Sequence, residues 1–217
     1  MLEDMIAENV NNFKFAFLPH FTGVNIRVAK INSSDSLSKL KCSLLNKLST
    51  YCYGENEDTL EGVVSKMLIE NKVTISIAES CTGGLLSKKL TDFDGSSKYF
   101  LGSVIAYSDK IKNEILEIPK KILEKEGAVS SDVALRMSEN VARKFNSTLG
   151  VSITGISGPT GYSNKKELGL YYVSIKYKSI HFYKKFIFNV NDRLIHRSVA
   201  VNTALNMIRK QLIESDE

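Results

Sequence analysis

The sequence predicts an α/β protein: a three-layer α/β/α domain with a mixed sheet over residues 58–217, preceded by a small α+β unit over residues 1–57. Three observations predict it. Val73–Ile77 and Leu149–Ile153 are short, mostly apolar runs of the kind found buried in the middle of a sheet. Stretches with apolar residues every three or four positions flank them, at Leu60–Leu68, Leu85–Leu90 and Val133–Phe145. Two alternating runs, Leu170–Tyr177 and Ile180–Val190, meet at Lys178-Ser179 in the pattern of an antiparallel hairpin. Helices between buried strands, closed by a hairpin, make a layered domain whose sheet is part parallel and part antiparallel.

The elements follow in order. Residues 1–12 are polar and read as a lead-in. Phe13, Phe15 and Phe17 alternate along Phe13–Leu18, and Val24–Ile31 is a second apolar run. Pro19 and Gly23 mark a turn between them, so the pair reads as a hairpin. Ser33-Ser34-Asp35 offers capping side chains to a helix carrying Leu37, Leu40, Leu44 and Leu48, which would cover that hairpin. The polar break Tyr53–Asp58 ends the small unit. Asp58 and Glu61 have capping-box spacing at the start of the helix Leu60–Leu68. Val104–Tyr107 reads as a strand, and Lys110–Ile118 and Pro119–Glu126 read as short helices, with Pro119 suited to a first helical position. Ser130 or Ser131 caps the helix of Val133, Met137, Val141 and Phe145. A terminal helix begins at Arg193 and presents Val201, Leu205, Ile208 and Leu212 on one face.

Composition narrows the class. A net charge of +5 permits anionic ligands without singling out nucleic acid. Cys42, Cys52 and Cys81 make neither a CxxC metal pair nor a disulfide framework, which suits a reducing cytoplasm. The N-terminus lacks the basic-then-apolar pattern of a signal peptide, and no stretch approaches the roughly 20 apolar residues of a membrane span. A soluble, cytoplasmic protein without metal or cofactor is the expectation. No GxSxG, HExxH or GxxxxGK[ST] motif is present.

The chemistry concentrates in Ala78-Glu-Ser-Cys-Thr-Gly-Gly84, where a buried strand opens into a helix. Ser80 and Thr82 are hydroxyls at the mouth of that turn, and the glycines let a ligand approach the backbone. The same residues also fit an ordinary helix cap, and both readings stand at this point. His20, His181 and His196 lie far from Ser80 in sequence, and the latter two read as surface histidines. A serine nucleophile here therefore needs another base, such as a lysine held neutral by burial. Lys110 and Lys112, just past Tyr107-Ser108, are the candidates. Cys81 is a rival nucleophile, read as a small buried residue because adjacent side chains point different ways.

Five blocks stand in order along the larger domain: Ala78–Gly84, Gly95-Ser-Ser-Lys-Tyr-Phe-Leu-Gly102, Val104–Lys112, Gly127-Ala-Val-Ser130 and Thr154-Gly-Ile-Ser-Gly-Pro-Thr-Gly161, with Asp192-Arg193 and Arg197 in the closing helix. In these blocks and their order the chain resembles the C-terminal domain of the CinA (competence-damage-inducible) family. The small unit resembles that family's KH-like middle domain but lacks a GxxG loop, so nucleic-acid binding by it is not expected. The family's large N-terminal domain, similar to molybdopterin-binding folds and linked to pyrophosphatase activity, has no counterpart in these residues.

The resemblance implies a nicotinamide-nucleotide amidase, converting nicotinamide mononucleotide to nicotinate mononucleotide and ammonia, working as a homo-oligomer. It implies Ser80 as nucleophile and Lys112 as general base, with Tyr107 and Thr154 supporting and Arg193 touching the ligand. Thr82, Gly83 and Gly84 would line the substrate, the two glycine amides holding an oxyanion. Gly155, Gly158 and the rest of that loop, with Arg193, would take the phosphate. The chain departs from the family pattern at Asp109 (commonly Asn), Ser103 (commonly Gly), Tyr162-Ser163 (commonly a Gly-Thr pair) and Asn191 (commonly Gly). The competing expectation is a non-catalytic module that keeps the pocket, either nucleotide-binding or a competence/DNA-linked regulator, the latter using Lys176, Lys178, Lys184 and Lys185.

Overall fold

The computed structural model describes residues 1–31, 36–161, 166–188, 190 and 192–214. The expected caps Ser33, Ser34 and Asp35, and the family departures at Tyr162, Ser163 and Asn191, lie outside the described residues. The chain divides into two compact units, Met1–Glu55 and Asn56–Glu217.

The first unit holds α1 (Glu3–Asn9), β1 (Phe13–His20), β2 (Gly23–Lys30) and α2 (Leu37–Leu48). β1 and β2 pair antiparallel from Phe13↔Lys30 to His20↔Gly23, so only Phe21 and Thr22 form the turn. Ser36 caps α2, its hydroxyl accepting from the Lys39 amide at 3.4 Å. Phe13, Leu40 and Leu44 form the core, with Phe15 and Val28 packed on it, so α2 covers the near half of the hairpin. Residues 1–12 are not a lead-in: α1 forms there, and Leu2 and Met5 pack on the same cluster. One anchor, Met5, inside a seven-residue helix and a second, Leu2, at its N-cap leave almost no periodic signal, and the core they dock on is what orders them.

The second unit contains α3 (Leu60–Glu70), β3 (Ile75–Glu79), α4 (Leu85–Thr91), β4 (Phe100–Ile105), α5 (Asp109–Glu114), α6 (Lys120–Glu126) and α7 (Ser131–Phe145). After these come β5 (Leu149–Gly155), β6 (Leu170–Tyr177), β7 (Ile180–Ile187) and α8 (Arg193–Glu214). The sheet order is β4-β3-β5-β6-β7. β4, β3 and β5 run parallel; β6 and β7 are antiparallel to their neighbours. Helix α7 packs along one face, and α3, α4 and α8 form the layer on the other. This is the predicted three-layer α/β/α domain with a mixed sheet. Its α7 side is sealed by Ala78, Leu116, Ile118, Val133, Met137 and Val141. Helix α7 lies against the backbone of β5: a Cβ on Gly150 would fall 2.1 Å from the Ser138 carbonyl oxygen.

Several boundaries move. β3 starts at Ile75 and runs on through Ala78 and Glu79, because those residues pair with both β4 and β5. β4 is Phe100–Ile105, not Val104–Tyr107. As an edge strand it is half exposed and carries little apolar signal. Thr59, rather than Asp58, caps α3, accepting from the Gly62 amide at 3.2 Å. Pro119 is the N-cap of α6, one position ahead of the expected first helical residue. Of the two serines offered for α7, Ser130 is the cap.

Candidate active site

Three parallel strands, β4, β3 and β5, end on the same side of the sheet; α4 follows β3, α5 follows β4, and a loop follows β5. Such carboxyl ends are where open α/β sheets leave room for polar groups. The Ser80 amide continues the ladder by donating to Ile153 at 2.9 Å, so the Ser80 backbone is held by β5 while its side chain leaves the sheet. On the neighbouring strand the chain turns after Ala106, whose amide donates to the Glu79 carbonyl at 2.7 Å, and enters α5. Ser108 caps α5, which brings Lys112 back over the strand end.

Lys112 is 1% exposed and Ser80 8%. The Lys112 Nζ lies 3.3 Å from the Ser80 Oγ and donates to the Ala106 carbonyl at 2.8 Å. Burial pushes the amine below the usual lysine value, while Asp109 and, less strongly, Cys81 oppose that shift. The Asp109 carboxylate stands 3.9 Å from Nζ and is 61% exposed. Lys110, the other candidate, is exposed on α5. Cys81 is buried beside Ser157, and desolvation raises its thiol to about 11, so it is held as an inert thiol.

The turn itself is organised by a residue not singled out from the sequence. Glu79 is wholly buried, and its carboxylate accepts from the amides of Gly84 and Leu86 at 3.1 Å, the amide of Ser87 at 2.8 Å and its hydroxyl at 2.6 Å. The protein's own anion therefore fills the α4 N-terminus, which corrects the expectation of free amides there. It also removes Gly84 as an oxyanion donor, and the Gly83 amide is spent on the Ser80 carbonyl at 3.1 Å. Counting from Ser80 to Ser87, the amides of Cys81 and Thr82 are the two not engaged among the described residues. Thr82 is not at a mouth: it is fully buried, and its Oγ1 has no partner among the described residues. Arg197 donates from Nη2 to the Thr82 carbonyl at 2.5 Å, and its buried Nε is likewise unpartnered.

The remaining expected residues are dispersed around this centre. Tyr107 is 59% exposed, and its hydroxyl accepts from Arg193 at 2.8 Å. Arg193 also donates to the Gly158 carbonyl at 2.8 Å, tying the β4 end to the loop after β5. Thr154 is buried, its hydroxyl donating to the Ala128 carbonyl at 2.9 Å. Gly155 serves packing: a Cβ there would lie 2.5 Å from the Tyr171 Cβ. At Gly158 a Cβ would lie 2.5 Å from Leu168 Cδ1. Beside that loop is a cavity of about 90 Å³ bordered by Ser157, Gly158, Pro159, Leu168, Asp192 and Arg193. It is large enough for one group of a ligand, and neither Ser80 nor Lys112 borders it.

Two histidines also differ from expectation. His196 is fully buried, its Nε2 donating to the Gly169 carbonyl at 2.9 Å and its Nδ1 accepting from Ser157 at 3.1 Å. His181 is part-buried, 3.2 Å from the Ser138 hydroxyl. The hairpin lysines form no single basic stripe: Lys184 and Lys185 are consecutive and leave opposite faces, and Lys176 donates to the Lys178 carbonyl. Glu79 had one sequence signal, an acidic residue ending an otherwise apolar run. Ser157, His196 and Arg197 had none that periodicity detects. Among the described residues no helix is long and apolar enough to cross a membrane, and no cluster of metal-ligating side chains occurs.

Fold and site define a mixed-sheet α/β domain that places a serine hydroxyl against a buried lysine at the ends of its parallel strands. The chain belongs to the CinA family: the CinA C-terminal domain model matches residues 57–212. It is 42% identical over 167 residues to a CinA-like protein of Dictyoglomus thermophilum, covering 77% of this chain and 40% of that one. It is 39% identical to a CinA-like protein of Prochlorococcus marinus, covering 99% and 54% respectively. The chain thus spans about half the length of the curated relatives it matches. Among solved structures, the competence/damage-inducible protein CihA of Agrobacterium tumefaciens superposes with a TM-score of 0.67 at 28% identity, covering 72% of this chain and 98% of that one. A CinA-superfamily protein of Klebsiella pneumoniae shares the fold, with a TM-score of 0.69 at 22% identity over 74% of this chain and 99% of its own.

Proposed function

We propose that this chain is an amidohydrolase that removes ammonia from the carboxamide of nicotinamide mononucleotide, with Ser80 as nucleophile and Lys112 as general base. The observation that carries the reading is the 3.3 Å contact between Ser80 Oγ and a lysine amine that burial drives toward its neutral form. The substrate comes from the family resemblance.

Neutral Lys112 accepts the Ser80 proton as Oγ bonds to the amide carbon, and the carbonyl electron pair moves onto oxygen. The unengaged amides of Cys81 and Thr82 are the donors suited to that oxyanion, each such donor being worth about 3 kcal/mol. The tetrahedral centre collapses as Lys112 returns the proton to the departing nitrogen, releasing ammonia and leaving an acyl-Ser80 ester. Lys112, neutral again, takes a proton from water as it attacks the ester, then returns that proton to the departing Ser80 Oγ, which frees the carboxylate product and restores the dyad. The phosphate cannot use the α4 N-terminus, which Glu79 occupies. Arg193 and the Gly158 loop are the groups suited to it.

Purified protein incubated with nicotinamide mononucleotide without added metal should release ammonia and nicotinate mononucleotide in equal amounts. Ser80→Ala and Lys112→Ala should each lose at least about a thousandfold in kcat/KM while keeping the fold, since the two act as a unit. Undiminished turnover by either folded variant would remove the dyad.

A further inference from the structure

The cavity beside the loop after β5 has no role in the dyad chemistry. At about 90 Å³ it has room for one edge of a sugar and not for a whole mononucleotide. Two residues on its border offer acceptor oxygens, and the first is Ser157. It is 5% exposed, and its hydroxyl meets Nδ1 of the fully buried His196 at 3.1 Å. The His196 Nε2 lies 2.9 Å from the Gly169 carbonyl oxygen, which can only accept, so Nε2 carries the ring proton. Nδ1 of the neutral ring is then an acceptor, and the Ser157 proton is spent on it. The Ser157 oxygen has only lone pairs left for the cavity.

The imidazole is held in that orientation by Tyr171, the two rings meeting at 88° with centroids 5.4 Å apart. The second acceptor is Asp192, just ahead of α8. Its Oδ1 accepts from the Leu194 and Ile195 amides at 2.8 and 2.9 Å, and its Oδ2 is unengaged among the described residues. Arg193 is the cation on the border, donating to the Gly158 carbonyl and to the Tyr107 hydroxyl, both at 2.8 Å. A carboxylate beside a hydroxyl that cannot donate repels a phosphate and suits a group that brings its own protons. A sugar diol is such a group, one hydroxyl donating to each acceptor. Ser157 stands beside buried Cys81, the residue after Ser80, so the cavity adjoins the dyad without containing it.

We propose that Ser157 and Asp192 form a subsite for the hydroxyl pair of the substrate's ribose, with His196 as the positioning residue that keeps Ser157 an acceptor. The proposal rests on the mononucleotide substrate of the reading above. The phosphate is then left to Arg193 on its Tyr107 side. Ser157→Ala removes one acceptor. His196→Leu leaves Ser157 in place but frees its proton, so the hydroxyl can donate as well as accept and selects less. Asp192→Asn can keep an oxygen on the α8 amides and turns an NH2 donor toward the cavity. The sign of that last change separates the two occupants: loss of the negative charge weakens a diol and strengthens a phosphate.

The test is calorimetric binding of nicotinamide mononucleotide and its 2′,3′-dideoxy analogue to Ser80→Ala protein, alone and combined with each substitution. The Ser80→Ala protein should prefer the ribonucleotide by about tenfold or more. Adding Ser157→Ala should cut that preference about 3–10-fold and adding His196→Leu about 2–3-fold, whereas a loosened loop would weaken both ligands alike. Adding Asp192→Asn should weaken the ribonucleotide about tenfold. Ser157→Ala strands the His196 Nδ1, so Ser157→Ala with His196→Leu, which removes both partners, guards against misfolding and should show the same reduced preference. Equal affinity for the two ligands, or tighter ribonucleotide binding with Asp192→Asn, overturns the proposal. Ammonia assays of the wild type keep the two readings apart. Ammonia release without a hydroxyl preference removes the subsite and leaves the amidase; a hydroxyl preference without ammonia release removes the amidase and leaves the subsite. Binding of neither ligand removes the subsite.

Discussion

Replacing Glu79 by Gln tests the claim that a buried carboxylate holds the Ser80 turn. One oxygen of Glu79 accepts from Gly84 and Leu86, the other from the Ser87 amide and hydroxyl. A glutamine must turn its NH2 toward one of these pairs. Facing Gly84 and Leu86 it meets two amide donors, neither of which can rotate away. Facing Ser87 it meets a hydroxyl that can turn to accept, but also an amide that cannot. Either way one or two charge-assisted bonds are lost and a buried donor is left facing another. At about 1.5–3 kcal/mol per bond to a charged group, the loss is roughly 1.5–6 kcal/mol. For a unit of this size, about 2–4 °C per kcal/mol puts the drop on the order of 10 °C in the larger unit's calorimetric transition. Ser87→Ala, which removes only one of these bonds, should cost about 1.5 kcal/mol, the low end of that range. A Glu79→Gln protein melting within about 2 °C of wild type would refute the reasoning, since even one bond of the stated strength cannot vanish without a larger shift.

Two further outcomes follow from the same geometry. Iodoacetamide at pH 8 should label exposed Cys42 and then Cys52, while Cys81, buried and with its thiol raised to about 11, should stay unmodified in intact-mass spectra. Lys112→Met should be inactive yet at least as thermostable as wild type near pH 7, because it removes an amine whose protonation opposes burial. The folded amine has a lowered pKa, so between that value and the ordinary 10.5 the unfolded chain binds more protons than the folded one. Wild-type stability should therefore gain on Lys112→Met as the pH rises through that window, as read by denaturant titrations at several pH values.

Much of the fold was legible because its signals are local. Val133, Met137, Val141 and Phe145 recur on one helical face whatever they pack against, and the Leu170–Tyr177 and Ile180–Ile187 strands alternate and turn at Lys178-Ser179. The α1 helix and the β4 edge strand were misread because their order comes from docking, Leu2 and Met5 on the Phe13 cluster and Phe100–Ile105 on β3. The site divides the same way. Ser80, Tyr107 and Lys112 stood in recognisable blocks, whereas the bond between Tyr107 and Arg193, 86 residues apart, had no local signal.

Residue order alone determined where the chain can bury apolar surface and where it must turn, since periodicity and turn chemistry act over a few residues. Tertiary structure alone decided which polar groups meet: Ser80 with Lys112, Glu79 with the α4 amides, Asp109 with Lys112, and His196 with Ser157. Contacts and field strengths depend on distance and on the water removed, and both exist only once α5, α6 and the loop after β5 have folded back over the strand ends.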